Sequence, residues 1–225
     1  TVLRELIDDG RSVTEIDTLP TSIQEAVRVR LYRAGEPARD LLAWIATASG
    51  SAALDDLTTL STAPVEPIVE ELLRRRLIIE ISEGQYEPAH SFVRDACLNL
   101  LEPKQRKQRH AAWAACLDRQ PEQSTQAAEQ WLAAGQTTAK REQFLEAAER
   151  LERVWRYGAA IPFYESALSG LDPLDAARLT IYPRLERACH RLRDTKRAAA
   201  VCTEWVELAR HYNQSAVEAR ALSLL

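Results

Sequence analysis

The stretch from Leu77 to Leu101, LIIEISEGQYEPAHSFVRDACLNLL, changes its pattern twice within 25 residues. LIIEIS is rich in β-branched residues, EGQ supplies a turn around Gly84, and YEP resumes an extended chain. That is the signature of a small β-hairpin. From Ser91 onward the chain reads as helix. His90 stands at the junction, where a side chain can meet a ligand or merely cap the helix that follows.

Upstream of the hairpin, helical periodicity dominates. Leu19–Gly35, LPTSIQEAVRVRLYRAG, offers Thr21 or Ser22 as an N-cap, with Glu25 following in capping-box fashion. Ile23, Ala26, Val27 and Leu31 form its apolar stripe, and Gly35 ends it. Glu36–Gly50, EPARDLLAWIATASG, repeats the design, with Pro37 in the first turn and Leu41, Leu42 and Ile45 inside. ALDDLTTL predicts a third helix near Ala53–Leu60. A fourth is predicted over Val65–Arg76, burying Ile68, Val69, Leu72 and Leu73. Helices followed by a hairpin in this order make a winged-helix domain, expected over residues 20–90, with residues 1–19 as the end of a preceding helix and its linker.

Downstream, helices are predicted over Ser91–Leu101, Pro103–Arg119, Ser124–Ala134, Thr138–Tyr157, Ala159–Ser169, Pro173–Arg193, Thr195–Tyr212 and Ser215–Leu225. Phe144, Ala148, Leu151, Trp155 and Gly158 share one face; so do Ala198, Val201, Cys202, Trp205, Leu208, Ala209 and Tyr212. GAAIPFYESALSGLDP sets Ala160, Tyr164 and Ala167 on a seam of small, aromatic and small residues. DTKRAAAVCTEWVELA echoes it 38 residues later with Ala198, Cys202 and Trp205, where Trp205 replaces the second small residue. Alanines let two helices approach closely and the ring fills the space between them. These segments resemble tetratricopeptide repeats with long spacing. The expected fold is mainly α: the winged-helix domain with its hairpin, then a tetratricopeptide-like superhelix over residues 91–225. Pro162 is expected in a first helical turn, where it is tolerated, and Pro183 mid-helix, where it should kink or break the helix near Tyr182.

Composition narrows the functional classes. Of 225 residues, 46% are hydrophobic, enough for an ordinary core, and the formal charge of −4 lacks the basic excess of a dedicated nucleic-acid binder. No apolar run reaches the ~20 residues needed to span a bilayer. Cys97, Cys116, Cys189 and Cys202 form no CxxC pair and read as buried thiols of a reducing cytoplasm. The chain holds no Met, so Thr1 is expected to continue a longer protein. No glycine precedes a lysine, which excludes the GxxxxGK phosphate loop; GxGxxG, HExxH and GxSxG are absent as well. His90, His110, His190 and His211 are dispersed, and Cys189 and His190 read as opposite faces of one helix. The expectation is a chain without catalytic residues, metal or cofactor.

Two basic clusters stand out. Arg74, Arg75 and Arg76 end the fourth helix, yet Glu66, Glu70 and Glu71 crowd its earlier turns, where carboxylates would repel a phosphate backbone. Direct DNA contact is therefore not expected. PKQRKQRH offers Lys104, Arg106, Lys107 and Arg109, either as a solvated face or as a contact for another domain or an acidic partner.

The segments LPTSIQEAVRVRL, GEPARDLLAWIATASG, VEELLRRRLII, YEPAHSFVRDACLNLL and RHAAWAACL together resemble the region that follows the ATPase core in bacterial STAND regulators (signal-transduction ATPases with numerous domains). TVLRELIDDGRSV resembles the last helix of the ATPase lid. The resemblance implies a winged helix coupling nucleotide state to a superhelix that docks a partner or senses an inducer. It further implies that His90, when an ATPase core is present, donates to the β-phosphate of bound ADP. Two other readings remain open: a DNA-binding winged helix with a helical dimerisation domain, and a purely structural helical adaptor.

Overall fold

The computed structural model describes Val27, residues 29–136 and residues 140–225. The lid-like segment, the cap at Thr21 or Ser22 with Glu25, and the start of a helix at Thr138 lie outside the described residues. The rest is mainly helical with one small three-stranded antiparallel sheet. It divides into two compact units, the first ending at Cys116 and the second running over Leu117–Leu225.

In the first unit, helical residues 29–33 stop at Gly35, whose φ of 83° a side chain would disfavour. Helix α1 (Glu36–Thr47) follows with a proline in its first turn. Next come β1 (Ala52–Ala53), α2 (Leu54–Leu60), α3 (Val65–Arg74), β2 (Ile78–Ser82), β3 (Gln85–Pro88), α4 (Ser91–Leu100) and α5 (Pro103–Leu117). The sheet order is β1-β3-β2, with Ala52 opposite Tyr86 and Ile78 opposite Pro88. A bulge lies between Glu80 and Ser82, and Gly84 takes φ 68° in the turn. The hairpin is where the sequence puts it. The third strand is not legible there, because its two alanines carry no strand pattern; Ala52 is instead held by complete burial.

α1 is the hub of this unit, packing against α2, α3, α4 and β3. Its Leu41, Leu42 and Ile45 are fully buried, joined by Leu57, Leu72, Leu77, Ile78 and Trp113. Of the four residues expected inside α3, Val69 and Leu72 are buried while Ile68 and Leu73 are half-buried.

The second unit contains a short 3-10 turn (Pro121–Gln123), then α6 (Ser124–Ala134), α7 (Arg141–Arg153), α8 (Tyr157–Ser169), α9 (Arg178–Arg191), α10 (Thr195–His211) and α11 (Ser215–Leu222). From α6 to α11 each helix packs on the next. Connections this short between packed neighbours return the chain antiparallel.

One helix stop recurs. Beyond α7, Trp155 takes φ 62°, its N–H donates to the Glu152 carbonyl (3.0 Å), and the Arg156 N–H donates to the Leu151 carbonyl (2.9 Å). Beyond α9, Arg193 (φ 59°) and Asp194 repeat this onto His190 and Cys189; beyond α10, Asn213 (φ 54°) and Gln214 repeat it onto Arg210 and Ala209. Gly135 closes α6 in the same way, and Arg76 closes α3. This is the left-handed helix cap that satisfies otherwise orphaned terminal carbonyls. It shortens the predicted helices: α7 ends at Arg153 and α10 at His211.

The prolines need two corrections. α8 begins at Tyr157, so Pro162 is its sixth residue and lies past the first turn. α9 begins at Arg178, so Pro183 is likewise sixth, and the helix continues through it without the expected break near Tyr182. Past the first turn, each proline forgoes the one helical hydrogen bond that its missing N–H would have made.

The recurring stop yields a stability prediction. A left-handed conformation costs an ordinary L-residue about 1–2 kcal/mol, whereas glycine bears its cost mainly in the unfolded chain. Arg193→Gly should therefore raise stability by up to about 1 kcal/mol, while Asn213→Gly, at a residue already tolerant of this region, should change it little. Chemical denaturation of both variants is the check; destabilisation by Arg193→Gly would show that its side chain does more than turn the corner.

Candidate functional site

His90 lies at the N-cap position of α4, in extended backbone (φ −153°, ψ 157°). Its carbonyl accepts from the N–H groups of Val93 (3.0 Å) and Arg94 (3.2 Å), and the preceding Ala89 N–H donates to the Leu77 carbonyl (3.0 Å). The backbone thus ties the last strand to the helix. The side chain makes no cap hydrogen bond, contrary to the capping role weighed from the sequence. The exposed imidazole instead stacks on Phe92, with ring centroids 4.9 Å apart and planes 28° apart.

The basic cluster of α5 splits by face. Lys104 and Lys107 are exposed, whereas Arg106 and Arg109 turn inward. Arg106 donates to the Leu98 carbonyl (2.5 Å). Arg109 pairs with Asp40, reaches the Asp40 carbonyl (3.3 Å) and stacks over Trp44, 4.3 Å from the ring centre. Trp113, one turn on, donates from Nε1 to the Trp44 carbonyl (2.9 Å). Arg109 therefore holds α5 to α1 within the first unit, leaving the two lysines as the outward charges of this cluster. Beside it a cleft of about 700 Å³ is lined by Tyr32, Asp40, Trp44, Cys97 and Leu101 among others. Burial pushes the Cys97 thiol up to about 12, so it stays protonated and inert at neutral pH.

At the end of α3, one carboxylate meets two arginines. Arg74 and Arg75 both pair with Glu71, and the hydrogen bond from Arg75 holds the Glu71 carboxyl below its ordinary range.

In the second unit, Ala160, Tyr164, Ala167, Ala198, Cys202 and Trp205 are all buried. The Tyr164 hydroxyl donates to Glu152 Oε2 (2.9 Å), and Phe163 of the same helix meets Phe144 of α7 with centroids 6.1 Å apart. Burial, seconded by the Glu152 charge, pushes the Tyr164 hydroxyl above its ordinary pKa of 10.0. In the next pair of helices Tyr182 donates to Glu204 Oε2 (3.0 Å) and accepts from Arg178 Nε (2.9 Å). Trp155 departs from its expected buried stripe. Leaving the helix at the left-handed turn swings it outward, and it is 73% exposed, edge-on to Tyr157.

A second cleft, of about 400 Å³, is lined by Glu149, Glu152, Arg153, Tyr157, Arg184 and Arg187. The sequence gives no sign of it, since its residues come from three helices and read as ordinary helix-surface charges. Among the described residues no cluster of His, Cys, Asp and Glu could hold a metal ion, and no helix is long and apolar enough to cross a membrane. Cys189 is buried and His190 exposed.

No protein-family profile and no curated protein matches the chain. Among solved structures it is similar to a signal transduction ATPase with numerous domains (STAND) that carries a tetratricopeptide repeat sensor, from Pyrococcus horikoshii, with TM-score 0.45 and 14% identity. The match covers 86% of this chain and 34% of that one, so this chain spans about a third of that protein.

The buried tyrosine gives the second prediction. Tyr164→Ala removes a fully buried ring and leaves the Glu152 carboxylate without its donor, so it should cost about 3–5 kcal/mol. Hydrogen exchange should quicken across Leu117–Leu225 while the described part of the first unit keeps its protection. A pH series sharpens the test. Because the folded hydroxyl titrates above the unfolded one, its stabilisation is full below pH 10.0 and declines as pH rises beyond it. Tyr164→Phe should remove that part of the alkaline loss; exchange that quickens equally in both units would mean they unfold together.

Proposed function

We propose that this chain is a non-catalytic regulatory module of a STAND-class ATPase, with the sheet-bearing unit that ends at Cys116 acting as a winged-helix coupler and Leu117–Leu225 as a tetratricopeptide-like docking or sensing array. The observation that carries this reading is the state of His90. Its backbone does the structural work of the junction, and its exposed imidazole is left with one ring contact and no cap hydrogen bond. An imidazole placed this way, on a rigid strand-to-helix corner, is available to donate to a phosphate on a neighbouring ATPase core. The repetition of the helix stop at Trp155 and Arg193, 38 residues apart, together with the six buried seam residues, supports the repeat assignment. Lys104 and Lys107 remain free to meet an acidic surface of another domain or partner.

The DNA-binding reading is weaker on the same grounds. Glu71 engages both Arg74 and Arg75, so part of the positive charge that would face a duplex is offset locally. Winged-helix modules can serve as hinges without reading bases, and the charge pattern of α3 suits that role.

Two measurements test the proposal. This chain alone should bind neither ADP nor ATP in calorimetry, because its sequence carries neither GxxxxGK nor GxGxxG. In a protein that joins it to an ATPase core, His90→Ala should speed ADP release by about ten- to a hundredfold, the loss of one hydrogen bond to a charged group. Unchanged release would remove His90 from nucleotide sensing. Salt-sensitive binding of duplex DNA by the chain, abolished in Arg74→Glu with Arg76→Glu, would favour the transcription-factor reading instead.

A further inference from the structure

Two connections of the second unit repeat a short pattern 38 residues apart. Arg153–Val154–Trp155 leads out of α7 and Arg191–Leu192–Arg193 leads out of α9, with Trp155 and Arg193 in the left-handed position. Both lie at the same end of their helices, because α8 runs back between them. A Cβ placed on Gly158, in the first turn of α8, would be 3.8 Å from Leu192 Cδ1. At this end Val154 is 61% exposed, Trp155 73% and Leu192 49%. The helix cap does not account for such residues. It needs only a residue that tolerates the left-handed region, as Asn213 does beyond α10.

The charges gather where the apolar groups do. Arg153, Arg156, Arg191 and Arg193 are all exposed, and none forms an ion pair among the described residues. The carboxylates next to them in sequence are engaged elsewhere: Glu152 accepts from the Tyr164 hydroxyl and Asp194 from the Arg197 N–H. The whole chain carries −4, so this cluster opposes its sign. The connection beyond α10, at the opposite end of the helices, contrasts with it. There Arg210 pairs with Glu218, and the Tyr212 hydroxyl donates to the Leu174 carbonyl (2.6 Å).

Shape and chemistry together select the occupant. None of the three apolar side chains lines the neighbouring cleft, whose walls are mostly charged. They stand out from two turns, so a peptide finds no groove around them. They are also too few for the core of a stable protein interface, which takes about 20–30 residues a side. A single-stranded nucleic acid would stack on Trp155 but leave Val154 and Leu192 in water. A bilayer surface uses every group, since tryptophan and aliphatic side chains enter the boundary of headgroups and acyl chains while guanidiniums meet phosphates.

We propose that this end of α7 and α9 docks on the surface of a bilayer containing anionic lipid. Trp155, Val154 and Leu192 enter the headgroup region, and Arg153, Arg156, Arg191 and Arg193 meet lipid phosphates. Apolar insertion and charge act together, as reversible attachment without a spanning helix requires. The proposal goes beyond the reading of the helical array as a docking or sensing surface. It needs neither nucleotide nor an ATPase core, so its failure and that of the His90 coupling are separate.

The experiment is co-sedimentation of the intact chain with vesicles of phosphatidylcholine alone, and of phosphatidylcholine and phosphatidylglycerol in about equal parts. Tryptophan emission is followed in parallel; Trp113, Trp131 and Trp205 are buried, so Trp155 is the reporter most open to lipid. Binding to the mixed vesicles with a blue shift in emission is expected, at least about tenfold tighter than to phosphatidylcholine alone and weaker as salt rises. Trp155→Ser should weaken binding about tenfold or more and remove the shift, and Arg191→Glu with Arg193→Glu should weaken it as much. These positions are exposed, which spares the fold. Leu174→Ser, exposed at the opposite end, should bind as the parent chain does. Absence of binding to the mixed vesicles would overturn the proposal. So would binding that survives both variants or that is lost equally in Leu174→Ser. Displacement of the vesicles by glycerol 3-phosphate, polyglutamate or single-stranded RNA at matched ionic strength would overturn it in favour of a soluble anion, an acidic protein or a nucleic acid.

Discussion

A helix that stops must dispose of its last carbonyls, and in this protein one device does so repeatedly. A residue in the left-handed region turns the chain, and the N–H that follows it reaches back to a carbonyl of the last helical turn. After α7, α9 and α10, three residues intervene before the next helix, which packs on the one before it. The cap closes α7 and α9 where α8 and α10 follow and pack on them. Side chains then decide how close the helices come. Ala160, Ala167 and Ala198 permit close approach, while Tyr164 and Trp205 fill the remaining space.

The first unit is organised differently, around a single helix. α1 meets α2, α3, α4 and the middle strand, so its apolar face must be nearly continuous, and seven of its twelve residues are buried. Arg109 and Trp113 fasten α5 to this hub through Trp44, one by stacking and the other by a hydrogen bond to its carbonyl. Arg94 of α4 reaches the carbonyls of Ala48 and Gly50 just beyond the end of α1 (3.4 Å each). These contacts place α4 and nearly all of α5 with the sheet-bearing unit, which divides from the rest after Cys116.

Much of this was legible in the sequence because it depends on local rules. Hairpin, helices and the buried sets of α8 and α10 follow from turn residues and from three- and four-residue spacing. What was not legible depends on partners distant in sequence or on conformations that composition does not signal. Trp155 continues an apolar stripe on paper, but only a non-glycine residue in the left-handed region could turn it to solvent, and nothing in the letters marks it. Pro183 looked disruptive because the predicted helix began five residues too early; once Arg178 starts it, the proline lies near its beginning. Arg109 read as part of a surface cluster because its partner Asp40 is 69 positions away. The acidic and basic lining of the cleft at Glu152 was hidden for the same reason.

Where the charges are settled is as informative as where they are not. Arg74 and Arg75 are answered by Glu71, Arg150 by Glu146, Arg197 by Glu165 and Arg210 by Glu218. Exposed pairs of this kind contribute only about 0–1 kcal/mol each, so stability alone is a weak reason for them. Their larger effect is on the field: each offsets charge within a few ångströms, and at physiological salt little remains beyond about 8 Å.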